Sequence, residues 1–171
     1  MLFKRMWRVI KLDKNIYNEI LQDPYSGAQA VTIVILATFA SVVGFLGSFA
    51  AGNIFKSGTY SDAVFYALVF MPVLWLVQGG LAYVFSRVSN SASGRQVTAG
   101  QLRTVIAYSA APAVALVFAG IPLVGALIAL MVVIWLVVTM SNALTLTMQI
   151  SFSRALMFVF PGFALRFVLA L

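Results

Sequence analysis

The residues of this 171-residue chain that could do chemistry are few. It has no cysteine and no histidine, so thiolate nucleophiles, disulfides and the commonest general base and metal ligand are absent. Four carboxylates lie outside the long apolar segments, and one arginine lies inside such a segment: Asp13, Glu19, Asp23 and Asp62, and Arg166. We therefore predict no catalytic residue, no metal site, no cofactor and no enzymatic activity, and no carboxylate relay at membrane depth.

The apolar segments around these residues are long enough to cross a bilayer. Apolar residues make up 63% of the chain and charged residues 9%, and a membrane-spanning helix needs about 20 apolar residues. We predict an all-α integral membrane protein, in which residues 24–171 form one five-span helical bundle. The predicted spans are about 28–52, 63–86, 102–119, 123–140 and 154–171, with Pro161-Gly162 interrupting the last.

Residues 1–23 form a separate unit in which apolar residues recur at helical spacing between lysines and arginines. This pattern predicts a basic amphipathic helix that lies in the membrane interface. A cleaved signal peptide is the competing interpretation, but no small-residue cleavage site precedes the first span, so we expect the segment to remain. Pro24 and Gly27 then end the helix.

The segment Leu144 to Ser153 alternates apolar and polar residues, a period typical of a strand. A lone strand in lipid would leave its backbone groups unpaired at high cost. We therefore favour an extension of the fourth helix followed by a turn, with the strand as the alternative.

The net charge of +7 comes from basic residues at the ends of apolar segments, which excludes nucleic acid as a partner and indicates contact with anionic lipid headgroups. By the positive-inside rule we place the N-terminus in the cytoplasm and the C-terminus on the opposite side, in a prokaryotic cytoplasmic membrane. The headgroup candidates are Lys4, Arg5, Arg8, Lys11, Lys14, Arg87, Arg95 and Arg103.

Small residues recur at every fourth position in the first and third predicted spans, where they let helix backbones approach closely. They are Ala40, Gly44, Ser48 and Gly52 in the first span, and Ala107, Ala111, Ala115 and Ala119 in the third. These ridges pack either within the bundle or against a helix of another membrane protein. Trp75 and Trp135 lie well inside their spans, so each indole N–H needs an acceptor there or a close protein neighbour.

The C-terminal half carries an ordered series of short motifs: Gly100-Gln101-Leu102-Arg103, Ala107-Tyr108-Ser109, Pro112, Ile121-Pro122-Leu123-Val124-Gly125 and Ile134-Trp135. This order resembles the membrane domain of the Ypt/Rab-interacting protein (YIP) family, whose motif positions map to Tyr108, Pro112, Pro122, Gly125 and Trp135. The resemblance implies a five-span fold with a cytoplasmic N-terminus, and in the eukaryotic branch binding to Rab GTPases. This chain has neither the Asp-Leu-Tyr-Gly-Pro motif nor the long soluble N-terminal region of that branch, and it looks like the compact prokaryotic relatives.

Two functions follow from these observations. The first is a non-enzymatic membrane scaffold or accessory subunit that binds other membrane proteins and anionic lipids. The second is a small transporter or channel for a neutral or anionic solute, suggested by Pro72, by Pro161-Gly162 and by Arg166.

Overall fold

The computed structural model describes residues 1–50, 60–89 and 97–168, and within these ranges the chain is helical without any strand. Seven α-helices and one 3₁₀ helix follow one another in these ranges. They are α1 (Leu2–Ile10), α2 (Ile16–Gln22), α3 (Ser26–Ala50), α4 (Tyr60–Ser89), α5 (Ala99–Ser109), the 3₁₀ helix (Ala111–Gly120), α6 (Gly125–Met148) and α7 (Phe152–Val168).

The single helix predicted for residues 1–23 is wrong, because the segment folds as two short helices, α1 and α2, which we call the N-terminal pair. α1 ends where Leu12 adopts a left-handed conformation with φ 59°. The N–H of Leu12 then donates to the Val9 carbonyl at 2.9 Å, and the N–H of Asp13 to the Arg8 carbonyl at 3.0 Å. These two bonds form a Schellman motif, which usually requires glycine at the left-handed position.

Three helices are long and apolar enough to cross a membrane among the described residues: Ser26–Ser48, Ala99–Gly120 and Gly125–Met148. Trp75–Phe85 and Phe152–Ala164 are apolar but shorter. The chain therefore has the helices of a multi-pass membrane protein, and the count of five spans stays a prediction.

The third span begins earlier than predicted and is not one continuous α-helix. Thr98 starts it with a capping box, in which its hydroxyl accepts from the N–H of Gln101 at 3.2 Å and the Gln101 side chain accepts from the N–H of Thr98 at 3.0 Å. The α-helix ends at Ser109, and the 3₁₀ helix continues to Gly120. Pro112 explains the change, since it has no N–H with which to bond the Tyr108 carbonyl.

The fourth and last spans also differ from their predicted bounds. α6 continues past residue 140 to Met148, where Gln149 turns left-handed at φ 55°, so the helical alternative for Leu144 to Ser153 is the observed one up to Met148. The interruption predicted at Pro161-Gly162 is wrong, because α7 is helical through both residues. Gly162 there gives room to Gln78, whose Cγ would lie 2.7 Å from a Cβ at that position.

The helices enclose two apolar clusters. The larger joins α4, α5, α6 and α7 around Leu102, Leu136 and Leu144. The second contains Val9, Tyr17 and Ile20 of the N-terminal pair together with residues of α3, α5, the 3₁₀ helix and α6. The buried face of the N-terminal pair is therefore covered by protein and not by lipid.

Candidate functional site

The small residues of α3 face the 3₁₀ helix at a very close crossing. A Cβ on Gly44 would overlap the Leu116 carbonyl oxygen, and one on Gly47 would lie 2.7 Å from the Gly120 Cα. The Ser48 hydroxyl donates to the Ala119 carbonyl at 2.7 Å, so it satisfies an acceptor at the end of the 3₁₀ helix.

The remaining members of the two predicted ridges divide between the two clusters. Ala40 and Ala119 are buried, and Ala115 packs on the larger cluster. Ala107 and Ala111 belong to the second cluster, which also contains residues of the N-terminal pair. Gly52 lies outside the described residues. The described members of both ridges thus make their contacts within the chain.

A small cavity lies beside this crossing. Its volume is about 40 Å³, and Ser41, Phe45, Leu116 and Ala129 line it with Gly44, Ser48 and Ala119. Sites for organic solutes measure roughly 300–1,000 Å³. This cavity therefore has room for about one water molecule and none for a solute.

The turn between the 3₁₀ helix and α6 carries two of the motif positions. Pro122 is exposed, and Leu123 after it has a left-handed φ of 69°. Gly125 begins α6 against the Ala119 carbonyl, with which a Cβ would overlap. A glycine is needed at this position because the two helix ends approach each other without space for a side chain.

Tyr108 and Pro112, two further motif positions, flank the point where α5 changes into the 3₁₀ helix. The Thr139 hydroxyl of α6 lies 2.8 Å from the Ser109 carbonyl, which the Pro112 break leaves without a regular helical donor. The buried Tyr17 hydroxyl of α2 donates to the Thr139 carbonyl at 3.4 Å, and burial raises the pKa of Tyr17. α2 is therefore bonded to α6 directly beside the Pro112 break.

Tyr108, the motif tyrosine, is fully buried and takes part in a three-residue contact. Its hydroxyl donates to Oε1 of Gln29 at 2.7 Å, and Nη1 of Arg5 donates to the same oxygen at 3.0 Å. An amide oxygen has two lone pairs and accepts both bonds. Gln29 therefore joins α1 to α5 at the start of α3.

Arg5 is only 9% exposed, and carboxylates of the same N-terminal pair neutralise it. Its guanidinium donates to Asp23 and, at 3.3 Å, to Glu19. The Arg5 hydrogen bond holds the pKa of Asp23 below its usual range, and the bond from the N–H of Tyr25 adds to this. The hydrogen bond to Asp23 likewise raises the pKa of Arg5, against the opposing effect of burial.

Arg8 extends the same network toward solvent. It donates to Asp13 at 2.8 Å and to Glu19. The hydrogen bond from Arg8 lowers the pKa of Glu19, and the N–H of Asn15, followed by Arg8, lowers that of Asp13. Arginine thus lowers the pKa values of Glu19 and Asp23, and the Asn15 N–H and Arg8 together lower that of Asp13, so all three carboxylates serve to hold the helices together.

Both interior tryptophans have backbone acceptors. Nε1 of Trp135 donates to the Ile10 carbonyl at 3.1 Å, one of the last carbonyls of α1, and Nε1 of Trp75 donates to the Arg103 carbonyl at 3.2 Å. Trp135 is therefore a motif residue whose side chain bonds directly to α1. We call this meeting of the N-terminal pair with Gln29, Tyr108, Trp135 and Thr139 the N-terminal junction.

The comparison with known families identifies one matching family. The sequence profile of the Yip1 domain matches residues 7–171. The chain belongs to the Yip1 domain family. Searches among curated proteins and among solved structures found no match. The match begins inside α1, so the family's domain in this chain includes most of the N-terminal pair as well as the bundle.

The basic residues predicted to contact headgroups fall into distinct environments in this Yip1-family chain. Arg5 and Arg8 point into the ion-pair network, because their acidic partners lie on α2 and its flanks. Lys4, Lys11 and Lys14 are exposed. Arg87 is exposed over the ring of Tyr83, 5.3 Å from its centroid, and Arg103 is exposed at the start of α5. Arg95 lies outside the described residues, as does the side chain of Arg166.

Sequence reasoning missed the polar partners of the N-terminal junction. Gln29 and Thr139 each lie inside a predicted span, and Glu19 and Asp23 look like ordinary flanking acids. The charge balance of the segment could have indicated these partners, because three acids between residues 13 and 23 follow a run rich in lysine and arginine. That pattern allows an ion-paired hairpin of helices as well as a basic interfacial helix.

Proposed function

We propose that this Yip1-family protein is a non-catalytic membrane scaffold or accessory subunit, in which the N-terminal pair is a fixed platform on a five-span bundle. The observation that carries the proposal is the N-terminal junction. Arg5 bonds to Asp23 and Gln29, and Tyr108 bonds to the same Gln29. Separately, Tyr17 bonds to the Thr139 carbonyl, and the Thr139 hydroxyl bonds to the Ser109 carbonyl. Polar bonds between helices, as in this junction, hold the N-terminal pair in one position on the bundle.

The junction supports a fixed platform because undocking would be costly. Moving α1 away would break the bonds from Arg5 to Glu19, Asp23 and Gln29 and would leave the Trp135 indole without the Ile10 carbonyl. It would also uncover Val9, and moving α2 with it would uncover Ile16 and Ile20; all three are fully buried. Loss of a buried charge pair and of apolar burial both oppose such a movement.

The outer faces of α3 and α6 are two of the exposed apolar surfaces that the chain offers to partners in the membrane, and α4 and α7 expose others. Val31, Ile35, Phe39 and Val43 repeat every fourth residue along α3 and are exposed. On α6 the exposed apolar residues are Leu127, Leu130, Met131, Ile134 and Trp135. Because the small-residue ridges are already occupied within the chain, a partner helix would meet these large side chains.

The orientation and the number of spans complete the proposal. We place the N-terminal pair and Arg87 and Arg103 on the cytoplasmic side, following the positive-inside rule, and the C-terminus on the opposite side. Five crossings are compatible with three long apolar helices, with the shorter apolar stretch Phe152–Ala164 within α7, and with α4, which has 30 residues.

Co-purification from native membranes tests the proposal. The tagged protein, extracted in a mild detergent and identified by mass spectrometry, is expected to retain other membrane proteins in stoichiometric amount. Arg5→Met should reduce their recovery, whereas Lys14→Gln at an exposed position should not. A wild-type protein that is always recovered alone, even after cross-linking within the membrane before extraction, would contradict the scaffold.

Transport of a solute is the second hypothesis. Broken helices were one argument for it, and the structure weakens that argument. Both α4 and α7 continue through Pro72 and Pro161. Flux measurements on proteoliposomes remain its test, with sealed vesicles across a solute panel as the outcome expected from a scaffold.

A further inference from the structure

The exposed side of α1 carries an ordered pattern of aromatic and basic residues that the N-terminal junction does not use. Phe3 and Trp7 are 75% and 58% exposed and lie one helical turn apart, so they share one side of α1. Lys4 and Lys11 are exposed beside them, and Nζ of Lys11 lies 5.2 Å from the centroid of the Trp7 ring. Lys14 is exposed in the segment that follows α1.

The position of α1 relative to the exposed apolar surface of the bundle indicates which environment surrounds the exposed side of α1. On α6 the exposed apolar residues end at Trp135, which bonds to the Ile10 carbonyl at the end of α1. On α3 the exposed apolar series begins at Val31, two residues after Gln29, which bonds to Arg5. Two independent helices therefore place α1 at the edge of their exposed apolar faces.

We propose that the exposed side of α1 is a binding surface for anionic phospholipid headgroups, with Lys4, Lys11 and Lys14 binding the phosphates and Phe3 and Trp7 lying among the adjoining acyl chains. Aromatic side chains favour this boundary, and lysine stems can extend from it to the phosphate level. The charge of the surface is complementary to an anionic leaflet. Arg5 and Arg8 take no part, because their guanidinium groups bond to Asp13, Glu19 and Asp23.

Lipid counting by native mass spectrometry tests this surface. The delipidated full-length protein is titrated with phosphatidylglycerol, and separately with phosphatidylcholine of the same acyl chains. Wild type should bind phosphatidylglycerol in preference. Each lysine changed to glutamine among Lys4, Lys11 and Lys14 should weaken the tightest binding by about fivefold, the equivalent of about 1 kcal/mol per charge.

Two control variants separate this surface from general electrostatics and from misfolding. The triple change of the same lysines to arginine should keep the preference, since the charge remains. Arg154→Gln, at an exposed position at the start of α7 that is not among the headgroup candidates, should leave the tightest binding unchanged. Equal binding by wild type and a variant with Lys4, Lys11 and Lys14 all changed to glutamine would overturn the proposal. So would a loss in the arginine triple variant as large as that in the glutamine triple variant. Unchanged helical circular dichroism in all variants confirms that the comparison is between folded proteins.

Discussion

The crossing of α3 with the 3₁₀ helix and the N-terminal junction hold the same molecule together by opposite means. At the crossing, Gly44, Gly47 and Gly120 remove side chains so that backbones meet. At the junction, Arg5, Gln29 and Tyr108 add polar groups that bond across helices. Lipid gives helices no hydrophobic reason to associate, so close packing serves the apolar interior, whereas charge pairs suit the partly hydrated edge.

The largest expected effect comes from adding one carbon at the crossing. Gly44→Ala places a Cβ onto the backbone carbonyl of Leu116, which cannot rotate away. We expect the free energy of unfolding to fall by about 1–3 kcal/mol or more. Gly80→Ala is the matched control, because a Cβ there meets nothing within 4 Å and alanine favours the helix. Unfolding in mixed micelles with increasing denaturing detergent, followed by circular dichroism, measures both, and equal stability of the two variants would contradict the close crossing.

Low pH should weaken the N-terminal junction and leave the stability of the crossing unchanged. The pKa values of Asp23, Glu19 and Asp13 are lowered in the folded protein. Groups with lowered pKa values stabilise the fold above their unfolded pKa, and this stabilisation is lost as the pH falls through the lower folded value. The junction should therefore be constant from pH 7 to about 5 and weaken below about pH 4.

Tryptophan emission provides the measurement, because Trp135 bonds to the Ile10 carbonyl at the junction. The fluorescence of Trp135 alone is the difference between the emission of wild type and that of Trp135→Phe at each pH. A transition in this difference between pH 6 and 7 would contradict the ion-pair account, since the chain has no histidine to titrate there.

A smaller effect is expected from the indole bond itself. Trp135→Phe removes the donor to the Ile10 carbonyl and keeps most of the apolar contact. A single neutral hydrogen bond contributes about 0.5–1.5 kcal/mol. Val9→Cys reports how often the buried face of α1 becomes exposed, because Val9 is buried and the chain has no other cysteine. Its reaction with a membrane-impermeant maleimide should be roughly 2 to 10 times faster when Trp135 is phenylalanine, and an unchanged rate would show that the indole bond does not hold α1.

The smallest effect should follow loss of the motif tyrosine's hydroxyl. Tyr108→Phe removes the bond to Gln29, but Arg5 still donates to the same amide oxygen and the ring stays buried. We expect the Val9→Cys reporter to react about twofold faster, below the effect of Trp135→Phe. A larger effect than that of Trp135→Phe would mean that Gln29 depends on Tyr108 for its position.

The sequence could predict the crossing better than the junction. Small residues at four-residue spacing indicate close packing wherever they occur, so Gly44 and Ser48 could be named in advance. The break at Leu12 could not, because leucine carries no turn signal and the left-handed position is normally glycine. The partners of Arg5 lie 14 to 24 residues away along the chain, and such pairings depend on how α1 folds back.

The family motif positions also divide into local effects, which residue type predicts, and contacts distant in sequence, which it does not. Pro112 and Gly125 act locally, by removing an N–H and a Cβ, and their effects follow from residue type. Trp135 bonds to Ile10, which lies 125 residues earlier in the sequence. That contact exists only in the folded chain.

The reactivity of Val9→Cys in native membranes, with and without Arg5→Met, tests the docked N-terminal pair most directly. Arg5→Met removes the buried charge that bonds to Asp23, Glu19 and Gln29. A docked pair should then open, and labelling should become at least about tenfold faster, a value that allows for the solvent-exposed parts of Glu19 and Asp23. A free helix lying in the interface would become more apolar and bury Val9 more deeply. Unchanged or slower labelling would contradict docking through Arg5.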